Sequence, residues 1–176
     1  MSKRPPREYH PPALQKRGIS LSGKALIELM QAVHAKGLPF RFSASGYSMA
    51  PFIRDGDVIT VSPLGFCAPG LGDVVAFIHP ETQLLCLHRV LSVNGKGFLI
   101  QGDNMPVKPD GMIPRDAIFG RVTRVERAGR RVRLGLGPER LLLAYLSRCG
   151  GMVVIRRWAG PLYACFSRRH ASCKKR

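Results

Sequence analysis

Ser48 lies in the turn-forming run Ser45-Gly46-Tyr47-Ser48-Met49-Ala50-Pro51, and His88 follows in the apolar stretch Leu87-His88-Arg89-Val90. A serine hydroxyl is a poor nucleophile unless a neighbouring base takes its proton. A neutral imidazole can do this and later return the proton to a leaving amine. A carboxylate on the other ring nitrogen fixes the tautomer and stabilises the imidazolium. Two carboxylates are candidates: Asp103 in Gly102-Asp103-Asn104, and Asp110 after Pro109. This set of residue types points to acyl transfer through a Ser–His pair. The oxyanion of such a reaction would rest on backbone N–H groups, chiefly that of Ser48, with Ser45 as an extra donor.

Each residue alone is ordinary, since a turn serine and a strand histidine are usually structural. Arg89 directly follows His88, so in a strand its side chain faces the other way, and a structural ion pair is expected. His10, His34, His79 and His170 lack a matching context and read as surface or linker residues. The five cysteines form no CxxC pair, which predicts free thiols in a reducing compartment. No metal and no organic cofactor is implied.

These residues need a frame. From Phe40 to Val125, short apolar runs alternate with Gly, Pro, Asn and Asp, which predicts a mainly β body. Candidate strands are Pro39–Ser43, Asp57–Val61, Asp73–Ile78, Leu84–Val93, Gly97–Gln101 and Ile118–Val125, with Val132–Leu136 as an addition. Asn94-Gly95 between two apolar runs signals a hairpin. Before the body, Leu26, Leu29, Met30 and Val33 fall at helical spacing and read as a core-packing stripe, ended by Gly37 and Pro39. After it, 138–168 read as helical, with a break at Gly150-Gly151. The organisation is an α+β chain. A disordered basic arm spans 1–17, an amphipathic helix 18–37 and the β domain 38–136. A helical segment (137–167) and a basic tail (168–176) follow.

The 176 residues are 45% hydrophobic and 22% charged, enough for a packed core. The net charge of +17 is uneven. Residues 1–40 carry seven Lys/Arg against two Glu, 41–120 carry six against seven Asp/Glu, and 121–176 carry fifteen against two. The middle is near neutral and the ends are basic, which suits attachment to an anionic membrane surface. Four Tyr and one Trp supply few stacking platforms, which argues against nucleic acid. No uncharged apolar run reaches the roughly 18 residues of a membrane span, and no secretory signal peptide is seen. The expected location is cytoplasmic, with the basic ends able to hold the chain peripherally on the inner membrane face.

The order of the motifs adds to this. Ser48-Met49-Ala50-Pro51 with Gly56-Asp57, then Gly72-Asp73-Val74-Val75, then His88-Arg89-Val90, then Gly102-Asp103-Asn104, resembles the signal peptidase family over about residues 43–125. The likeness is nearest to its Ser–His branch, found in the endoplasmic reticulum, in archaea and in some spore formers. The same fold and serine turn serve LexA-type self-cleaving repressors. The resemblance implies a signal-peptidase-like β body, Ser48 as nucleophile, His88 as base and small residues flanking the scissile bond. It favours Asp110 as the orienting acid, with Asp103 supporting the site. Two departures stand out. Gly46 replaces the second serine many bacterial members carry two residues before the nucleophile, and no membrane helix precedes Ser48.

The reading is therefore a serine endopeptidase acting on a peptide or preprotein, as in signal peptide processing. A LexA-like self-cleaving regulator is the nearest alternative, although the N-terminal region offers one helix and no helix-turn-helix pair. A non-enzymatic module binding lipid or nucleic acid is the third.

Overall fold

Strand-forming runs separated by glycine-rich turns build one antiparallel sheet in this computed structural model, which describes residues 23–65, 67–105 and 109–148. Helix α1 (Gly23–His34) precedes strands β1 (Phe40–Ser43), β2 (Val58–Pro63), β3 (Val74–Ile78), β4 (Leu85–Asn94), β5 (Gly97–Gln101) and β6 (Gly111–Ile113). A short 3-10 turn (Arg115–Ala117) leads into β7 (Ile118–Arg127), β8 (Arg130–Val132) and helix α2 (Arg140–Arg148). The chain is mainly β, with helices before and after the sheet, as its composition and spacing predict. The expected arm at 1–17 and tail at 168–176 lie outside the described residues, as does the helical segment beyond Arg148.

The strand order is β1-β2-β7-β3-β4-β5-β6, with β8 pairing the far end of β7. β7 is long enough to hold β3 with its first half and β8 with its second, while β2 runs along its other edge. The Asn94-Gly95 hairpin is present, with Asn94 Oδ1 accepting from the Lys96 N–H at 2.9 Å. Two structures differ from expectation. β6 is three residues long and carries no periodicity of its own. Val132 closes β8, but 133–139 turn into α2 instead of continuing the strand. There the Glu139 carboxylate accepts from the Gly135 and Gly137 N–H groups at 2.7 and 3.0 Å.

Two apolar cores flank the sheet. One gathers Met30 with Ile59, Val61, Val74 and Ala76, and the other Val75 with Phe77, Val90, Phe98 and Ile100. Met30 is fully buried while Leu29 is exposed, so the packed face of α1 is narrower than the stripe predicts. His34 corrects a reading of surface placement. Its two ring nitrogens lie 3.1 Å from the Phe119 and Val61 carbonyls and pin the end of α1 across β2 and β7. Among the described residues, no helix is long and apolar enough to cross a membrane.

Candidate active site

The serine turn connects β1 to β2 and is held at both of its sides. The Ala44 N–H donates to the Asp57 carbonyl at 2.7 Å, and the Gly56 N–H returns to the Ala44 carbonyl at 2.9 Å. Inside that closure the Gly46 N–H donates to Asp55 Oδ1 at 2.9 Å. Gly46 has φ +97°, a left-handed conformation that a side chain would disfavour. From the other side Asn104 clamps the turn, its backbone N–H on the Ser48 carbonyl at 2.7 Å and its side-chain amide on the Tyr47 carbonyl at 2.9 Å. Among the described residues nothing accepts from the Ser48 N–H, which leaves it available to a substrate oxygen. Ser45 is exposed beside the cleft.

β4 presents His88, paired with Val75 of β3. The side chain is buried against Phe77, with ring centroids 5.8 Å apart. His88 Nδ1 lies 2.5 Å from Asp110 Oδ2. Asp110 is fixed where the chain joins β6, its N–H donating to the Ile100 carbonyl at 2.9 Å. The structure therefore brings Asp110, of the two candidate acids, to the imidazole. Asp103 faces the other way, in a buried bidentate pair with Arg89 at 2.8 and 2.6 Å.

The opposite nitrogen of His88 points to the serine turn, and Gly102 makes that approach possible. A Cβ at Gly102 would lie 2.8 Å from the Ser48 carbonyl oxygen and 3.0 Å from His88 Nε2. Both groups thus border one small space that only glycine leaves open. A Ser48 Oγ–His88 Nε2 hydrogen bond is not formed in this state. Catalytic contacts of this kind commonly tighten only when substrate is bound.

Beside Ser48 lies a cleft of about 180 Å³. Phe42, Ala44 and Met49 line it together with Leu85 and Leu87 of β4 and Leu26 of α1. A volume near that of a cavity known to hold benzene, roughly 150 Å³, admits one small or medium apolar side chain. Cys86 also lines it. Burial pushes its thiol pKa up and the nearby Asp110 charge adds to this, which favours the neutral thiol.

Two participants escape sequence reasoning. Leu26 reads only as helix core, because periodicity gives a buried face but not what lies opposite it. His79 reads as a surface residue, yet its Nε2 stands 3.6 Å from Asp110 Oδ1. The alternation of Phe77 and His79 along the strand, set against the β3–β4 register, is the signal that could have found it. His10 and His170 lie outside the described residues. Among the described residues no cluster of three or more His, Cys, Asp or Glu could hold a metal ion. Compared with models of known protein families and with curated proteins, the sequence matches none.

Proposed function

We propose that this chain is a serine endopeptidase resembling the signal peptidases, with Ser48 as nucleophile, His88 as general base and Asp110 as the orienting acid. One observation carries the reading: a buried imidazole bound to a carboxylate through Nδ1, with Nε2 left beside the turn that bears Ser48. A structural histidine has no need of a free nitrogen bordering a glycine-lined gap.

The chemistry follows from these groups. Ser48 Oγ attacks the scissile carbonyl carbon as His88 Nε2 takes its proton. The oxyanion forms against the Ser48 N–H. Collapse breaks the C–N bond, and the imidazolium gives its proton to the leaving amine. Water, deprotonated by the same imidazole, then releases the acyl group and restores Ser48. Asp110 keeps the Nδ1–H tautomer in place throughout. The substrate is an extended peptide with a small apolar side chain in the cleft. β1, an edge strand that lines the cleft with Phe42 and Ser43, suits backbone pairing with such a segment.

The test is incubation of the purified chain and its Ser48→Ala variant with a peptide library carrying small residues at alternating positions. The runs are made with and without anionic vesicles and read by mass spectrometry. Cleavage by the wild type alone is expected. No cleavage in any condition would overturn the reading. Shortening of the protein itself, with the peptides left whole, would instead favour a self-cleaving regulator.

A further inference from the structure

Asp110 faces an imidazole on each side, one hydrogen-bonded and one in a longer contact. His88 Nδ1 lies 2.5 Å from Oδ2, and His79 Nε2 lies 3.6 Å from Oδ1. Among the described residues these are the only side-chain partners of that carboxylate. All three side chains are largely buried, at 5%, 7% and 16% exposed for His88, Asp110 and His79. Phe77, fully buried, lies against both imidazoles, with ring centroids 5.8 Å from His88 and 6.4 Å from His79.

The local fold determines which nitrogen of His79 carries the proton. His79 follows the last residue of β3 and closes the hairpin to β4. Its N–H donates to the Leu84 carbonyl, and its carbonyl accepts from the Gln83 N–H, both at 2.9 Å. Within that loop, the Glu81 and Thr82 N–H groups donate to His79 Nδ1 at 3.2 and 3.3 Å. A ring nitrogen that accepts hydrogen bonds carries no proton, so the neutral ring bears it on Nε2, the atom facing Asp110.

We propose that His79 is a positioning residue of the active site, its Nε2–H steering the second oxygen of Asp110 so that the first stays aligned on His88. The functional half of this proposal rests on the serine endopeptidase reading above, while the geometric half does not. The difference in distance is part of the device. A donor as close as His88 on the second oxygen would compete for the carboxylate's charge, whereas a longer contact orients it and leaves that charge to His88. Cys86, on the same face of β4, remains a neutral thiol and adds no competing anion.

The experiment uses the full-length chain with His79→Leu and His79→Gln variants. Ring tautomers are read by nitrogen–proton NMR, with the low-field His88 Nδ1 proton as reporter. Turnover is read on a peptide that the wild type cuts. The wild type should show His79 as the Nε2–H tautomer. His79→Leu should shift the His88 Nδ1 proton and lower kcat roughly tenfold with KM unchanged, the size expected of a small misalignment. His79→Gln, whose amide supplies an N–H in place of Nε2–H, should restore both. A proton on His79 Nδ1, or a His88 resonance indifferent to His79→Leu, would overturn the proposal. If the wild type cuts no peptide while the tautomer and the resonance shift are as stated, the endopeptidase reading falls and the positioning of Asp110 by His79 stands.

Discussion

His88 and Arg89 are neighbours in β4, and the alternation of a strand sends their side chains to opposite faces of the sheet. Each finds an aspartate from the chain after β5, yet the two pairs differ in what they leave over. Arg89 and Asp103 side chains are fully buried, and the guanidinium's Nη1 reaches the Gly72 and Gly135 carbonyls at 2.8 and 2.9 Å. The Phe52 ring lies 5.7 Å from the same guanidinium. That pair holds the Gly102-Asp103-Asn104 turn and the entry to α2 against β4. On the other face, His88 has one nitrogen committed to Asp110 and one that, among the described residues, is unengaged beside Ser48. On the proposed function, what each pair leaves unengaged separates a structural charge pair from a reactive one, even at consecutive positions of one strand.

The difference can be broken at either side. Ser48→Ala should reduce peptide turnover by about 10⁴-fold or more and leave the urea unfolding midpoint unchanged. Asp110→Asn should cost about 10²- to 10⁴-fold in kcat, because Nδ1 loses the acceptor that keeps the useful tautomer. On the structural face the signature inverts. Arg89→Met leaves the Asp103 carboxylate buried without its partner and should destabilise the fold by about 3–5 kcal/mol in urea denaturation. The fraction still folded should retain most of its turnover. If Arg89→Met removed turnover at unchanged stability, the division between the faces would be wrong.

Gly102 sharpens the comparison because it touches both sides. It precedes Asp103, yet the space above its Cα is bounded by the Ser48 carbonyl and His88 Nε2. One of these contacts is backbone, held in turn by the Asn104 N–H, so it cannot swing aside cheaply. Gly102→Ala should therefore displace the serine turn from the imidazole. The expected loss is roughly 10²-fold in kcat and about 1–3 kcal/mol in stability. Chemical denaturation and kinetics on the same preparation check both. A variant with wild-type turnover would show that the gap at Gly102 has no part in aligning the two groups.

These contrasts explain what the sequence could and could not reveal. The mainly β frame was readable, because alternation and turn residues are local. Ser48 and His88 stand out only through the order and spacing of the motifs, since a turn serine and a strand histidine are each ordinary alone. The residues themselves left Asp103 and Asp110 open and only the resemblance favoured Asp110, since which of them meets His88 depends on long-range pairing. The expected ion pair at Arg89 follows from strand alternation, but its partner depends on that same long-range pairing. His79 and Leu26 lay further out of reach. Each has an ordinary local setting, and only the β3–β4 register and the docking of α1 bring them to the site. β6 illustrates the limit, being a strand only because β5 lies beside it.

The smallest effect concerns the entry to α2, on the Arg89 side of β4. Glu139 sits just before α2, where its carboxylate accepts from the Gly135 and Gly137 N–H groups. Its pKa lies below the usual carboxylate range, first because of the hydrogen bond from its own N–H, with the Gly135 and Gly137 bonds and the Arg89 charge adding to it against a burial that works the other way. A carboxyl held low when folded is protonated first in the unfolded chain, so its stabilising effect is complete above the unfolded value, near about 4.3. It is lost as pH falls through the lower folded value. Glu139→Gln should therefore destabilise the protein at pH 7 by on the order of 0.5 kcal/mol, the size of a solvent-screened cap. The gap between the two proteins' thermal midpoints should close as the pH is lowered below that range. Peptide turnover should be unaffected, because α2 braces the Arg89 face and takes no part in holding Asp110. A gap that persisted unchanged into acid would mean that the Gly135 and Gly137 bonds act through shape alone, with no contribution from the carboxylate's charge.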